Sequence, residues 1–245
     1  RAQGLVKQAL ADQDRAAGRP KAAALRELSA GIQEALADQG KADSQSEELA
    51  SGRADTALDA TATQQEVADE AEGLAQGLES GEAGKGEDVD SLEKTLNEAA
   101  DSAAKAARAT LDGDVSSAEQ ASTAAREALQ EASKTTRAAL SEALGEKGGE
   151  KNAGAQEKVG EASGQAGDLV SEAAPEASVS LARASQQSAT AEKALEAKDE
   201  SGADRAQESV KNSLEQALGD LQRAIDELAK KAVEEVEEGA EDAGS

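Results

Sequence analysis

A chain of 245 residues has room for one to three domains, yet this one contains no Phe, Trp, Tyr, Met, Cys or His and carries 51 acidic against 26 basic residues, a net charge of −25. That excludes imidazole and thiol chemistry, disulfides and thiolate metal sites, and it excludes nucleic acid and anionic membrane as partners, because such a surface repels both. The 22 Leu, 10 Val and 2 Ile residues make up about 14% of the chain, below the ~20% mark that, with high net charge, points toward disorder. Thin contacts between helices are what this composition supports, since Ala is the best helix former and lets helices approach closely.

Residues 2–17 read as a short helix with Leu5, Val6 and Leu10 on one side, broken by Gly18 and Pro20. Pro20 fits the first turn of the next helix, where its missing N–H costs nothing. That helix carries Leu25, Leu28, Ile32 and Leu36 and is expected to end at Gly40. Ser44 with Glu47 reads as a capping box that starts another helix, running through Leu58 to the seam Val67, Ala71, Leu74 and Leu78. Residues 80–88 are a Gly-rich acidic linker. Asp90 or Ser91 then caps a helix with the seam Leu92, Leu96, Ala99, Ala103, Ala106 and Thr110, with Leu111 beside it, stopped at Asp112-Gly113-Asp114. Ser116 and Glu119 form the next capping box. The return helix holds Ala125, Leu129, Ala132, Thr136, Ala139 and Ala143 and ends at Gly145. Seven glycines between residues 145 and 168 predict a flexible connection. Pro175 opens a third hairpin, with Val179, Leu181 and Leu195 on its first helix and a turn at residues 198–202. Ser201 with Asp204 caps a long return helix whose seam, Leu214, Leu218, Leu221, Ile225 and Leu228, is the most apolar in the chain.

The expected fold is therefore all-α: antiparallel helical hairpins, coiled-coil-like, joined by flexible Gly-rich linkers, partly disordered, with no β-sheet. The expected division is residues 1–79 (N-terminal helices and a first hairpin), 80–88 (linker), 89–145 (second hairpin), 146–175 (flexible linker), 176–238 (third hairpin) and 239–245 (disordered acidic tail). One constant shift superposes the second and third hairpins. It places Asp114 on Asp199, Ser116 on Ser201, Glu119 on Asp204, Ala121 on Ala206, Leu129 on Leu214, Ala132 on Ala217 and Leu140 on Ile225.

The motifs that invite chemistry have plainer readings. Gly84-Lys85 lacks a glycine five positions earlier, and Gly86 stands where a phosphate loop needs Ser or Thr, so the segment reads as a linker. Asp112, Asp114 and Ser116 resemble the start of a calcium loop, but Ser117 and Thr123 occupy its glycine and glutamate places, so capping explains them. Paired carboxylates such as Glu234 and Glu238 have no thick core to desolvate them for acid–base work. Ser133-Lys134 reads as ordinary exposed helix, and Asn97, Asn152 and Asn212 miss the glycosylation pattern. The sequence thus assigns no catalytic, cofactor-binding or metal-binding residue and implies no cofactor, no small-molecule substrate and no enzymatic activity.

LDGDVSSAEQASTAAREALQEA (111–132) and SGADRAQESVKNSLEQALGDLQRAIDELA (201–229) resemble the Ala/Gln/Glu-rich repetitive, coiled-coil-like helical regions of large bacterial, often envelope-associated, proteins. The resemblance is compositional and implies a helical spacer or scaffold region of a larger protein, with no activity. Its Leu/Ala seams would pair within hairpins, with a helical protein partner or with a second copy. The alternative is a largely disordered stress protectant, because KNAGAQEKVGEASGQAGD (151–168) resembles late-embryogenesis-abundant proteins, although their lysine-rich eleven-residue repeats are missing. No apolar run approaches the ~18–20 residues of a membrane span, and no secretory signal is present. The chain opens at Arg1 rather than Met, which reads as a processed piece of a longer protein. Its compartment is the cell envelope or periplasm if a signal or anchor lies upstream, and the cytoplasm otherwise.

Acidic residues crowd positions 234–242, at a helix C-terminus whose dipole is already negative. The pairs Asp226–Lys230 and Glu227–Lys231 favour helix up to about Lys231, with fraying expected beyond. Neutralising the crowded carboxylates relieves their repulsion. Helix content, followed by circular dichroism at 222 nm, is therefore expected to rise as pH falls from neutral to about 4; a flat or falling signal rules out charge repulsion as the main limit on helix.

Overall fold

Long stretches of Ala, Leu, Glu, Gln and Lys, all strong helix formers, become helices wherever Gly, Pro or Asp does not interrupt them. The computed structural model describes residues 1–50, 57–79, 83–84, 86–145 and 151–243, with side chains described for all of these except 50, 79, 87 and 232–243. Among the described residues there are eight helices and no strand. They are α1 (Ala2–Ala16), α2 (Pro20–Ala50), α3 (Ala57–Glu79), α4 (Glu87–Leu111), α5 (Val115–Gly145), α6 (Ala153–Val170), α7 (Pro175–Glu196) and α8 (Glu200–Ala243). The all-α expectation holds.

The chain divides into two compact units. One is continuous, Pro20–Lys147; the other is split, Arg1–Arg19 with Gly148–Ser245. In the continuous unit α2 packs on α3, α3 on α4, α4 on α5, and α5 back on α2. In the split unit the same closed ring runs α1, α6, α7, α8 and back to α1. Each unit is thus a four-helix bundle. Leu25, Ile32, Val67, Leu92, Leu96 and Leu129 anchor the core of the continuous unit, with Ala filling most of the remaining buried positions. Val6, Val159, Leu181, Val210 and Leu214 do the same in the split unit.

Several expectations are corrected. Residues 1–79 do not form one unit: α2 and α3 pack on each other, but α1 joins α6 and α8, and the boundary falls at Pro20. Gly40 and Ser44 lie inside α2 rather than at a helix end and a new start, and the Ser44 hydroxyl donates to the Gly40 carbonyl (3.1 Å) within the helix. Flanking Ala, Gln and Lys keep the helix going through one glycine, whose cost is only ~1 kcal/mol. The linker at 80–88 lies only partly within the described residues, and there Ala83 is buried in the core. The tail at 239–245 is helical as far as Ala243, and α8 does not stop near Lys231.

The largest correction is α6, which occupies most of the expected flexible linker at 146–175. Tertiary packing overrides composition here. A Cβ on Gly160 would lie 3.5 Å from Ser188 Cβ, and one on Gly167 would lie 3.5 Å from Leu181 Cβ, so these glycines face α7. With so little side chain between the helices, α7 serines reach the α6 backbone. Ser185 donates to the Gly160 carbonyl (3.0 Å) and Ser188 to the Gln156 carbonyl (2.5 Å). Asn152 caps the helix by accepting from the Ala155 amide (3.1 Å).

The α8 seam is buried only in part. Leu214 and Leu221 are buried, whereas Ile225 is 44% and Leu228 55% exposed.

The α4–α5 and α7–α8 turns carry the same bonds at equivalent positions. Asp112, Gly113 and Asp114 amides donate to the Arg108, Thr110 and Ala109 carbonyls (3.0, 3.2 and 2.9 Å). Ala197, Lys198 and Asp199 amides donate to the Lys193, Leu195 and Ala194 carbonyls (3.0, 3.1 and 2.9 Å). The left-handed residue is Gly113 (φ 74°) in one turn and Lys198 (φ 56°) in the other. The caps are Asp114, which accepts from the Ser117 amide (3.1 Å), and Asp199, which accepts from the Gly202 amide (2.9 Å), two residues before the expected Ser116 and Ser201. The capping Asp directly follows the left-handed residue, and the helix begins at the next position. Hydrogen bonds from the Ser117 hydroxyl and amide hold the Asp114 carboxyl below the usual carboxylate range.

A side chain in the left-handed region costs ~1–2 kcal/mol that glycine avoids. Lys198→Gly is therefore expected to raise stability by about 1 kcal/mol, and Gly113→Ala to lower it by about as much, as read from urea midpoints.

Candidate functional site

Glutamine and serine occupy core positions on the seams, and each bundle gathers them into a buried polar layer. In the split unit, each of the four helices supplies one residue: Gln13 (α1), Gln156 (α6), Ser188 (α7) and Gln207 (α8), all buried. Gln156 Nε2 donates to Gln13 Oε1 (3.0 Å) and to Ser188 Oγ (2.8 Å). Gln156 Oε1 accepts from Gln207 Nε2 (3.2 Å), which also donates to the Ala16 carbonyl (3.1 Å). The Asn152 amide donates to that same carbonyl (3.0 Å), so the end of α1 is tied to both α6 and α8.

The continuous unit builds its layer from Gln39 (α2), Gln64 (α3) and Ser122 (α5). Gln39 Nε2 donates to Ser122 Oγ (2.7 Å) and Asp43 Oδ1 (2.9 Å), and Gln64 Nε2 donates to Ser122 Oγ (2.8 Å). The Ser122 hydroxyl donates to Asp43, whose second oxygen takes the Arg126 guanidinium (2.7 Å). Ser122 is shorter than its counterpart Gln207 and carries no amide to hand on. Gln39 Oε1 and Gln64 Oε1 accordingly stay buried with no partner.

Directly beside each layer lies a cleft. In the split unit a cleft of about 290 Å³ is lined by Gln13, Arg19, Lys151, Asp204, Gln207 and Lys211 among others. Arg19 pairs with the buried Asp14 (3.3 Å), and Lys151 with Asp204 (2.6 Å). In the continuous unit a cleft of about 330 Å³ has Asp43, Ser122 and Arg126 on one side and Leu49, Ala57 and Val115 on another. The composition gave no hint of these layers or clefts. The one signal was Gln at 3–4 spacing with apolar residues, as in Leu36–Gln39 and Gln64–Val67.

The residues considered from sequence fall elsewhere. Ser133 is buried on α5, while Lys134 is exposed and pairs with Glu131 (3.0 Å), so the two neighbours face different ways. Asp114 is a cap. Gly84 takes a left-handed turn (φ 85°). Lys85 lies outside the described residues, as do the side chains of Glu234 and Glu238. Among the described residues no cluster of three potential metal-ligating side chains occurs, and no helix is long and apolar enough to cross a membrane.

One acidic cluster spans α2 and α3. Burial pushes the Glu70 carboxyl up, and Asp38, Glu34 and Glu66 push it further, against the opposing pull of Lys41. Lys41 is itself raised, by its hydrogen bond to Asp38. A carboxyl raised in the folded state favours folding below its unfolded pKa, and that contribution is lost as pH rises through the folded value. Glu70 thus contributes more to stability at mildly acidic than at neutral pH.

No protein-family model, no curated protein and no solved structure matches the chain.

The two layers differ in how completely they are satisfied, and substitution separates them. Gln156→Met leaves Gln13 and Gln207 with buried unpaired groups and is expected to cost about 2–3 kcal/mol. Gln64→Met removes one hydrogen bond along with an acceptor that was already unpaired, so its expected cost is under about 1 kcal/mol. Chemical denaturation of the two variants checks the difference.

Proposed function

We infer that the chain is a non-enzymatic structural and interaction segment, a helical spacer or scaffold region of a larger protein. The observation that carries this reading is the closed ring of four helices in each unit, with each seam largely used up by its own bundle. Such a bundle holds its ends at a fixed separation through packing alone. The match of turns, caps and buried positions under the shift that carries Asp114 onto Asp199 supports reading the chain as two copies of one bundle, with one copy inserted in the sequence between α1 and α6. Gln13 to Gln39 extends the match to α1 and α2, and Gln64 to Gln156 extends it to α3 and α6.

A partner would meet what the bundles leave uncovered. On α8 that is Ile225 and Leu228, suited to a helical partner or to self-association. The protectant reading draws on composition alone, and fully buried Leu, Val and Ala in both units count against it.

The two readings separate in dilute buffer. A scaffold gives strong helical dichroism and a cooperative thermal transition. Helicity that appears only on drying or in alcohol, without such a transition, establishes the protectant and removes the scaffold.

A further inference from the structure

The two bundles match position by position until one stretch of α8, where burial diverges. The shift that carries Gln13 onto Gln39 also carries Val6 onto Ile32, Leu10 onto Leu36 and Arg1 onto Glu27. The shift that carries Asp114 onto Asp199 also carries Thr136 onto Leu221, Ala139 onto Ala224, Leu140 onto Ile225 and Ala143 onto Leu228. Leu129 and Leu214, Ala132 and Ala217, and Thr136 and Leu221 are all buried. Past them the pairs differ. Ala139 and Ala143 are buried and Leu140 packs against their core, whereas Ala224 is only half-buried and Ile225 and Leu228 stand exposed.

The neighbouring helix accounts for the difference. Gln3 donates to Gln222 (3.1 Å) and Gln207 donates to the Ala16 carbonyl (3.1 Å), so α1 lies antiparallel to α8 and meets it as far as Gln222. Ile225 and Leu228 lie past that point. In the continuous unit α2 carries Pro20–Arg26, about two helical turns, ahead of Glu27. Within those turns Ala22 and Leu25 are fully buried, in the same core as Ala139 and Ala143. Two turns of helix thus cover in one bundle the seam that the other leaves open.

Resting on the scaffold reading, we propose that Ile225 and Leu228 form a docking surface for a helix of the larger protein. The occupant lies in line with α1 and antiparallel to α8, with a small residue and a leucine in the places that Ala22 and Leu25 hold in the other bundle. Charge points the same way. From Asp226 to Asp242 the sequence has eight acidic residues against Lys230 and Lys231, and the covering turns of α2 carry Lys21 and Arg26. Basic residues beside the apolar stripe of the occupant are therefore favoured. A second copy of this chain fits less well, because its seams are largely used within its own bundles and its α8 would bring like charge to like.

The chain has no cysteine, so Leu228→Cys provides a single thiol whose labelling rate reports how well this surface is covered. Leu228 is exposed, and an unchanged thermal melt confirms that the variant folds. Copying Pro20–Arg26 directly ahead of Arg1 restores the register of α2. It is expected to slow labelling about tenfold or more and to raise the melting temperature. The same graft with glutamate in place of both Ala22 and Leu25 is expected to do neither. In the larger protein the thiol is expected to react as slowly as in the graft. Labelling there as fast as in the 245-residue chain overturns the proposal, and so does equal labelling with and without the graft. Protection of the ungrafted chain that fades on dilution assigns the surface to a second copy and overturns it too. Absence of a cooperative melt in the unsubstituted chain removes the scaffold reading and this one together, an outcome distinct from a cooperative chain whose thiol stays unprotected.

Discussion

Helix separation in both bundles is set by methyl groups, and the rest of the structure follows from that. Most buried apolar positions are Ala, so neighbouring helices approach until backbones and short side chains touch. At Gly31 the missing Cβ leaves room for the end of the Leu74 side chain. On α6 the glycines give α7 serines direct access to backbone carbonyls. An Ala loses no rotamer freedom on burial, so a helix rich in it packs at little entropic cost. It also removes little area from water, at about 25 cal/mol per Å². Cohesion is therefore spread along the whole length of each helix, with a few Leu and Val as anchors.

So thin an interior makes its polar groups matter more. A buried amide is favourable only when its donors and acceptors are matched. The split unit meets that condition with a chain of amides running from Gln207 through Gln156 to Gln13. The continuous unit replaces one amide with Ser122, draws Asp43 and Arg126 inward, and leaves two carbonyl oxygens unpaired. The same architecture thus has a well-satisfied and a less satisfied version, and the less satisfied one has the larger and more apolar cleft. Most acidic residues lie on the outer faces, but Asp12, Asp14 and Asp220 are buried, and Glu34, Asp38, Glu66 and Glu70 crowd together across α2 and α3.

Much of the local structure was legible in the residues. The seams Ala125-Leu129-Ala132-Thr136-Ala139-Ala143 and Leu92-Leu96-Ala99-Ala103-Ala106 are buried throughout, as spacing alone requires. Pro20 and Pro175 open helices, and the turn around Gly113 lies where Gly and Asp put it. Other features were hidden because the deciding interaction is not local. A glycine-rich stretch became α6 only because α7 supplies serines at matching heights. Gln13, Gln39, Gln64, Gln156 and Gln207 look like any surface glutamine until four helices close around them. Ile225 and Leu228 extend the most regular apolar seam in the chain and are nevertheless exposed.

By itself the sequence determined that the chain is helical, where several of its turns lie, which face of most helices is apolar, and that it has no imidazole or thiol. These properties depend on contacts within a few residues: propensity, capping and 3–4 spacing. Tertiary structure decided which helices share a core, and so that α1 leaves its neighbour α2 to close a ring with α6, α7 and α8. Stripes of Ala and Leu adhere to one another with little preference. The choice among partners passes instead to matched amides, serine-to-backbone bonds and small-residue close approaches, which exist only once distant segments meet.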